Sequence, residues 1–113
     1  MLFEEDGFCA NFNFDKCEIT LNSKNTEILF DELSIQKLTD SIRSIDLALV
    51  FGMKVVDTLT ENIGLKIKSQ QVIFTQQSKE IILSSSEWNT LKNRLMVSVI
   101  ALHSQLASDL LQE

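Results

Sequence analysis

Apolar residues occupy every second position in three successive runs near the start of the chain: Phe8-Ala10-Phe12-Phe14, Ile19-Leu21 and Ile28-Phe30. Alternation of period two marks strands with one apolar face, and the breaks at Asp15-Lys16 and at Asn22 to Asn25 carry residues that suit turns. The pattern returns as Leu65-Ile67, Val72-Phe74 and Ile81-Leu83, broken at Ser69-Gln70 and at Thr75 to Ser78. After each set the apolar spacing changes to three and four, which is helical. The first helix is expected to carry Ile35, Leu38, Ile42, Ile45, Leu49, Met53, Val56, Leu59 and Ile63, and the second Trp88, Leu91, Leu95, Val99, Leu102 and Leu106. Asp31 is the expected N-cap of the first, and Ser84 with Glu87 makes a capping box for the second. Gly52 falls midway along the first stripe and is expected to kink the helix; Gly64 is expected to end it.

The two halves match without a gap at a spacing of 53 residues (65 − 12), with Phe12 on Leu65, Phe14 on Ile67, Ile19 on Val72, Leu21 on Phe74, Ile28 on Ile81, Phe30 on Leu83 and Ile35 on Trp88. The expected fold class is α+β. It is a tandem duplication of a three-stranded antiparallel meander followed by a long helix, βββα-βββα, pseudo-two-fold, with the sheets held together by the helices. One domain is expected over residues 1–113, with repeats of approximately 8–60 and 61–113. Helices this long extend past their own sheets, so a homodimer or a closed pseudo-dimer is expected, with Met53, Val56 and Leu59 buried against the region around Leu102 and Leu106.

A chain of 113 residues, 44% of them hydrophobic, can bury one core. Its longest apolar stretches, such as Leu95 to Leu102, fall short of the roughly 20 residues that span a bilayer. The opening Met-Leu-Phe-Glu-Glu-Asp is acidic where a secretory or transit signal would be basic. An intracellular protein of the cytoplasm or nucleus is expected, encoded by a cell, such as a bacterium, or by a virus growing in one. Cys9 and Cys17 are read as free thiols, and a single histidine, His103, without a Cys-x-x-Cys falls short of a zinc site. Asp57 and Glu61, one turn apart on the expected helix, read as a solvated acidic face. Three glycines, at 7, 52 and 64, leave no glycine-rich phosphate loop. Neither an enzyme nor a cofactor is expected.

The net charge of −6 opposes nonspecific binding to nucleic acid, which depends on Lys and Arg neutralising phosphates, so any such function needs a local basic surface. Strand alternation supplies one. With Leu65 and Ile67 turned inward, Lys66 and Lys68 point to the opposite face, together with Gln71, Ile73 and Thr75. By the ungapped match, the corresponding surface of the first half holds Asn13, Asp15, Glu18, Thr20 and Asn22 and is acidic. Trp88 falls on Ile35 and is read as a core residue.

The segment from Glu80 to Leu95, Glu-Ile-Ile-Leu-Ser-Ser-Ser-Glu-Trp-Asn-Thr-Leu-Lys-Asn-Arg-Leu, resembles the last strand and helix start of the single-stranded-DNA-binding transcriptional coactivators of the positive cofactor four family. In that family a strand ends at an N-cap and an acidic-Trp pair opens a helix that continues with Leu-Lys. The first half echoes it from Glu27 to Leu38, and two such units in one chain resemble the Whirly arrangement. The resemblance implies a sheet surface that tracks the phosphate backbone. On this chain that surface is Lys66, Lys68, Gln71, Ile73 and Thr75, with Lys79 and Arg94 at its rim. The expected function is a non-catalytic binder of single-stranded DNA or RNA, a coactivator-like regulator of transcription or replication. The alternative is an acidic module that docks on RNA polymerase or another basic protein, which the net charge and the acidic first half favour.

Overall fold

A computed structural model describes residues 8–13 and 15–97 in full and residues 2–5 in their backbone. Among the described residues, eight strands form two four-stranded antiparallel sheets. The first sheet has the order β1 (Leu2–Glu5), β2 (Phe8–Asn13), β3 (Glu18–Ser23), β4 (Thr26–Phe30), and the second β5 (Val55–Thr58), β6 (Gly64–Lys68), β7 (Gln71–Gln76), β8 (Lys79–Ser84). Helix α1 (Glu32–Val50) follows the first sheet, and α2, over residues 85–97, follows the second.

The expected βββα-βββα arrangement is thus corrected to four strands before each helix, and the long first helix to one that stops at Val50. Gly52 is the cause. At φ +64° it adopts the left-handed conformation one residue past the C-cap Phe51. The Gly52 N–H donates to the Leu49 carbonyl and the Met53 N–H to the Ala48 carbonyl, the pair of bonds that closes a Schellman motif and turns the chain out of the helix. Gly52 therefore terminates the helix and does not kink it. Beyond it Val55 and Val56, β-branched and suited to a pleated strand, begin β5. Leu59 and Ile63, expected on the helix, lie in the β5–β6 loop, where the Leu59 N–H donates to the Ile63 carbonyl and both side chains are buried. Gly64, expected to end the helix, opens β6 opposite Thr75, where a Cβ would run into the Thr75 hydroxyl.

The repeat is also not one uniform shift, which corrects the simple pseudo-two-fold. Strands β3 and β7, and β4 and β8, correspond at 53 residues. In β6, however, Ile67 pairs with Val72 as Phe12 pairs with Ile19 in β2, a spacing of 55 (67 − 12). The hairpins differ: Asn13 faces Glu18 across a longer connection, whereas Lys68 faces Gln71 across Ser69-Gln70 alone. Ser69 and Gln70 both have positive φ, as a tight two-residue hairpin requires. Phe14 lies outside the described residues.

The inner faces are those expected. Phe8, Ala10, Phe12, Ile19, Leu21, Ile28 and Phe30 from the first sheet, and Leu65, Ile67, Val72, Phe74, Ile81 and Leu83 from the second, join Leu38, Ile45, Trp88, Leu91 and Leu95 in one buried cluster. The helices are not the only tie between the sheets. Strand β4 lies against β8. The Phe30 ring meets Phe74 edge-on at 5.3 Å between centroids, and the Leu29 N–H donates to Gln76 Oε1 at 3.4 Å. Helix α1 packs on β3 and β4 and also on β6.

Both helix starts match the sequence signals. Asp31 Oδ1 accepts from the Ser34 amide at 2.9 Å and the Ser34 hydroxyl at 2.7 Å. In the capping box the Ser84 amide donates to Glu87 Oε1 at 2.9 Å and the Glu87 amide to Ser84 Oγ at 3.1 Å. Trp88 is wholly buried, and its indole N–H donates to Asp46 Oδ1 at 2.9 Å, while Lys92 Nζ pairs with Asp46 Oδ2 at 3.0 Å. One carboxylate of α1 thus ties down two side chains of α2.

The helix pairing expected through Met53, Val56 and Leu59 does not survive. None of the three is on a helix, Met53 and Val56 are exposed and Leu59 is in the core. His103, Leu102 and Leu106 lie outside the described residues. The second sheet begins at Val55, ahead of residue 61.

Candidate nucleic-acid interface

Alternation along paired strands determines which side chains share the outer face of the second sheet. Lys66 stands between Val56 of β5 and Ile73 of β7, and Ile73 faces Ile82 of β8. In the next row Lys68 faces Gln71, and Gln71 faces Ser84. In the row on the other side of Lys66, Thr58, Gly64, Thr75 and Glu80 line up. The register therefore brings together Lys66, Lys68, Gln71, Ile73 and Thr75.

Their accessibility differs. Lys66, Lys68 and Gln71 are exposed and Thr75 is half-buried, but Ile73 is only 3% exposed. Set between Lys66 and Ile82 in the register, it offers little contact surface. Lys79 and Arg94 are placed elsewhere. Lys79 is exposed, but it pairs with Gln76 at the far end of β8 and alternates with the inner-face residues Ile81 and Leu83. Arg94 is on α2, the helix that packs on the inner side.

Lys54 is the residue that the pattern concealed. The β5–β6 ladder begins with Val55 opposite Ile67, and Lys54 directly precedes it. Lys54 is exposed and shares the alternation phase of Val56. Lys66 and Lys68 lie on one strand of this face, Lys54 directly precedes the neighbouring strand, and the exposed Val56 of that strand is the partner of Lys66. A face of this kind can meet successive phosphates while aliphatic surface lies against sugars or bases.

The outer face of the first sheet differs. Because β2 and β6 correspond at 55 residues, the counterparts of Lys66 and Lys68 are Asn11 and Asn13, where the ungapped match gives Asn13 and Asp15. Across from them are Thr20 and Glu18, with Asn22 opposite Cys9 and Glu27 opposite Asn22. This face carries carboxylates and no lysine among the described residues of β2, β3 and β4.

The remaining chemistry is sparse. Burial, and secondarily the Glu32 carboxylate, push the Cys17 thiol up, away from the reactive thiolate. Both cysteines are free. Asp57 on β5 and Glu61 in the following loop are not a turn apart on a helix, and no group of three metal-ligating side chains occurs among the described residues. No described helix is long and apolar enough to cross a membrane. Compared with known proteins, the chain matches no family model, no curated protein and no solved structure.

Proposed function

We propose that the chain is a non-catalytic binding protein that holds single-stranded nucleic acid across the outer face of its second sheet. The placement of Lys66 and Lys68 together on the outer face of β6, with Lys54 directly ahead of the neighbouring β5, carries the reading. Each lysine that meets a phosphate releases counterions, and the net charge of −6 limits the affinity to the micromolar range or weaker at physiological salt. Anisotropy titration of a labelled single strand between about 50 and 200 mM salt tests the idea, because each phosphate-neutralising lysine contributes about 0.7 to the slope of log affinity against log salt. Lys66→Gln with Lys68→Gln should flatten the slope by about 1.4, twice that single-lysine value. No binding of DNA or RNA by the wild type at about 50 mM salt refutes the proposal.

A second reading, docking on a basic protein surface such as that of a polymerase, is favoured by the first sheet, whose outer face presents Glu18 and Glu27 among asparagines. A strand-binding failure combined with salt-sensitive capture by a basic partner would select it.

A further inference from the structure

We infer that α1 carries a self-complementary seam by which two copies of the chain associate, their α1 helices packed antiparallel. The helix buries Ser34, Leu38, Ile45, Ala48 and Leu49 against the sheets. On the opposite side Leu33, Gln36, Asp40, Arg43, Leu47 and Val50 are all exposed, Leu33 at 53%, Leu47 at 47% and Val50 at 74%. Their spacing is three, four, three, four, three, the repeat of a coiled-coil seam. An ordinary solvent face is polar throughout; this one has Leu33 at one end, Leu47 and Val50 at the other, and one acid and one base in the middle.

The order of those residues selects the occupant. If a second helix is laid antiparallel about a point midway between Ser41 and Ile42, Leu33 meets Val50 of the second copy, Gln36 meets Leu47, and Asp40 meets Arg43. Each pair is equidistant from the centre, so one two-fold axis forms all six layers at once, as an isologous interface requires. Both central ion pairs join opposite charges. Parallel packing would instead set Asp40 against Asp40 and Arg43 against Arg43. Among the described residues, Asp40 and Arg43 make no ion pair with each other or with a third residue. The seam is about 26 Å long at 1.5 Å per residue, so the interface is of the small, weak class.

Sedimentation equilibrium from about 10 μM to about 1 mM covers the range in which interfaces of this size associate. The wild type should move from monomer to dimer. Arg43→Asp, which sets acid against acid twice, should weaken the dimer at least about tenfold, and Asp40→Arg should do the same by setting base against base. The double exchange Asp40→Arg with Arg43→Asp rebuilds both pairs and should return the dissociation constant to within about threefold of wild type. All three changes are at exposed positions, and unchanged melting temperatures confirm the fold; Leu47→Lys, also exposed, gives a second disruption independent of the charges. A wild type that stays monomeric throughout overturns the proposal. So does a dimer indifferent to Arg43→Asp and Leu47→Lys, or a double exchange that fails to restore association.

Discussion

Where the second sheet places Lys66 beside Ile73, the first places Asn11 beside Thr20; where the second places Lys68 beside Gln71, the first places Asn13 beside Glu18. The inner faces of the same strands are nearly interchangeable, apolar against apolar in one shared core. The two requirements are separate. Packing constrains the inward positions of both halves alike, whereas the outward positions answer to whatever each face meets, and there the halves have opposite charge. Two similar four-stranded sheets thus share one core while their outer faces carry different charge.

Truncations at matched positions probe that comparison. Trp88 and Ile35 occupy equivalent places on the two helices, but Trp88 is wholly buried with its indole bonded to Asp46, while Ile35 is only partly buried. Trp88→Ala should therefore cost about 3 to 5 kcal/mol in denaturant unfolding, and Ile35→Ala less, about 1 to 2. Equal costs would mean that the two helices seat alike after all. Gly64 and Cys9 are also counterparts, opposite Thr75 and Asn22. Gly64→Ala forces a Cβ against the Thr75 hydroxyl and should cost about 1 to 3 kcal/mol, whereas Cys9→Ala, which adds nothing to its site, should be milder.

The helix caps give a smaller contrast. Asp31 is held below the usual carboxylate range by the Ser34 hydroxyl and then the Ser34 amide. A group whose folded pKa is depressed stabilises above its unfolded pKa, and that stability is lost as pH falls through the folded value. Asp31→Ala should cost about 1 kcal/mol at neutral pH, and the difference from wild type should close below about pH 4. Ser84→Ala should show less of this pH dependence, because its hydroxyl does not titrate. The smallest effect belongs to the tight hairpin peculiar to the second sheet. Replacing Ser69-Gln70 by Asn-Gly relieves two positive-φ positions and should raise stability by about 0.5 to 1 kcal/mol in thermal unfolding.

Inward strand positions, most turns and both caps are legible in the sequence because each rests on a local signal. The apolar spacing overextends the first helix, because Met53, Val56, Leu59 and Ile63 continue the stripe of Ile45 and Leu49 by coincidence. Gly52 followed by Val55-Val56 is the signal of a stop and a new strand. Overextension hides Lys54, which reads as a helix residue until β5 exists. The shift in β6 is invisible for another reason: moving a strand by two residues preserves its inward and outward phase, so Phe12 matches Leu65 and Ile67 equally well. The separation of Lys79 and Arg94 from Lys66 and Lys68 depends on tertiary placement that a linear pattern does not contain.

The most direct test moves the basic face. Single-strand affinity at about 50 mM salt is measured for the wild type, for Lys66→Glu with Lys68→Glu, and for Asn11→Lys with Asn13→Lys. Binding should nearly vanish in the first variant and strengthen in the second, whose first sheet then resembles the other. Equal affinity in all three would contradict the assignment of binding to the outer face of the second sheet.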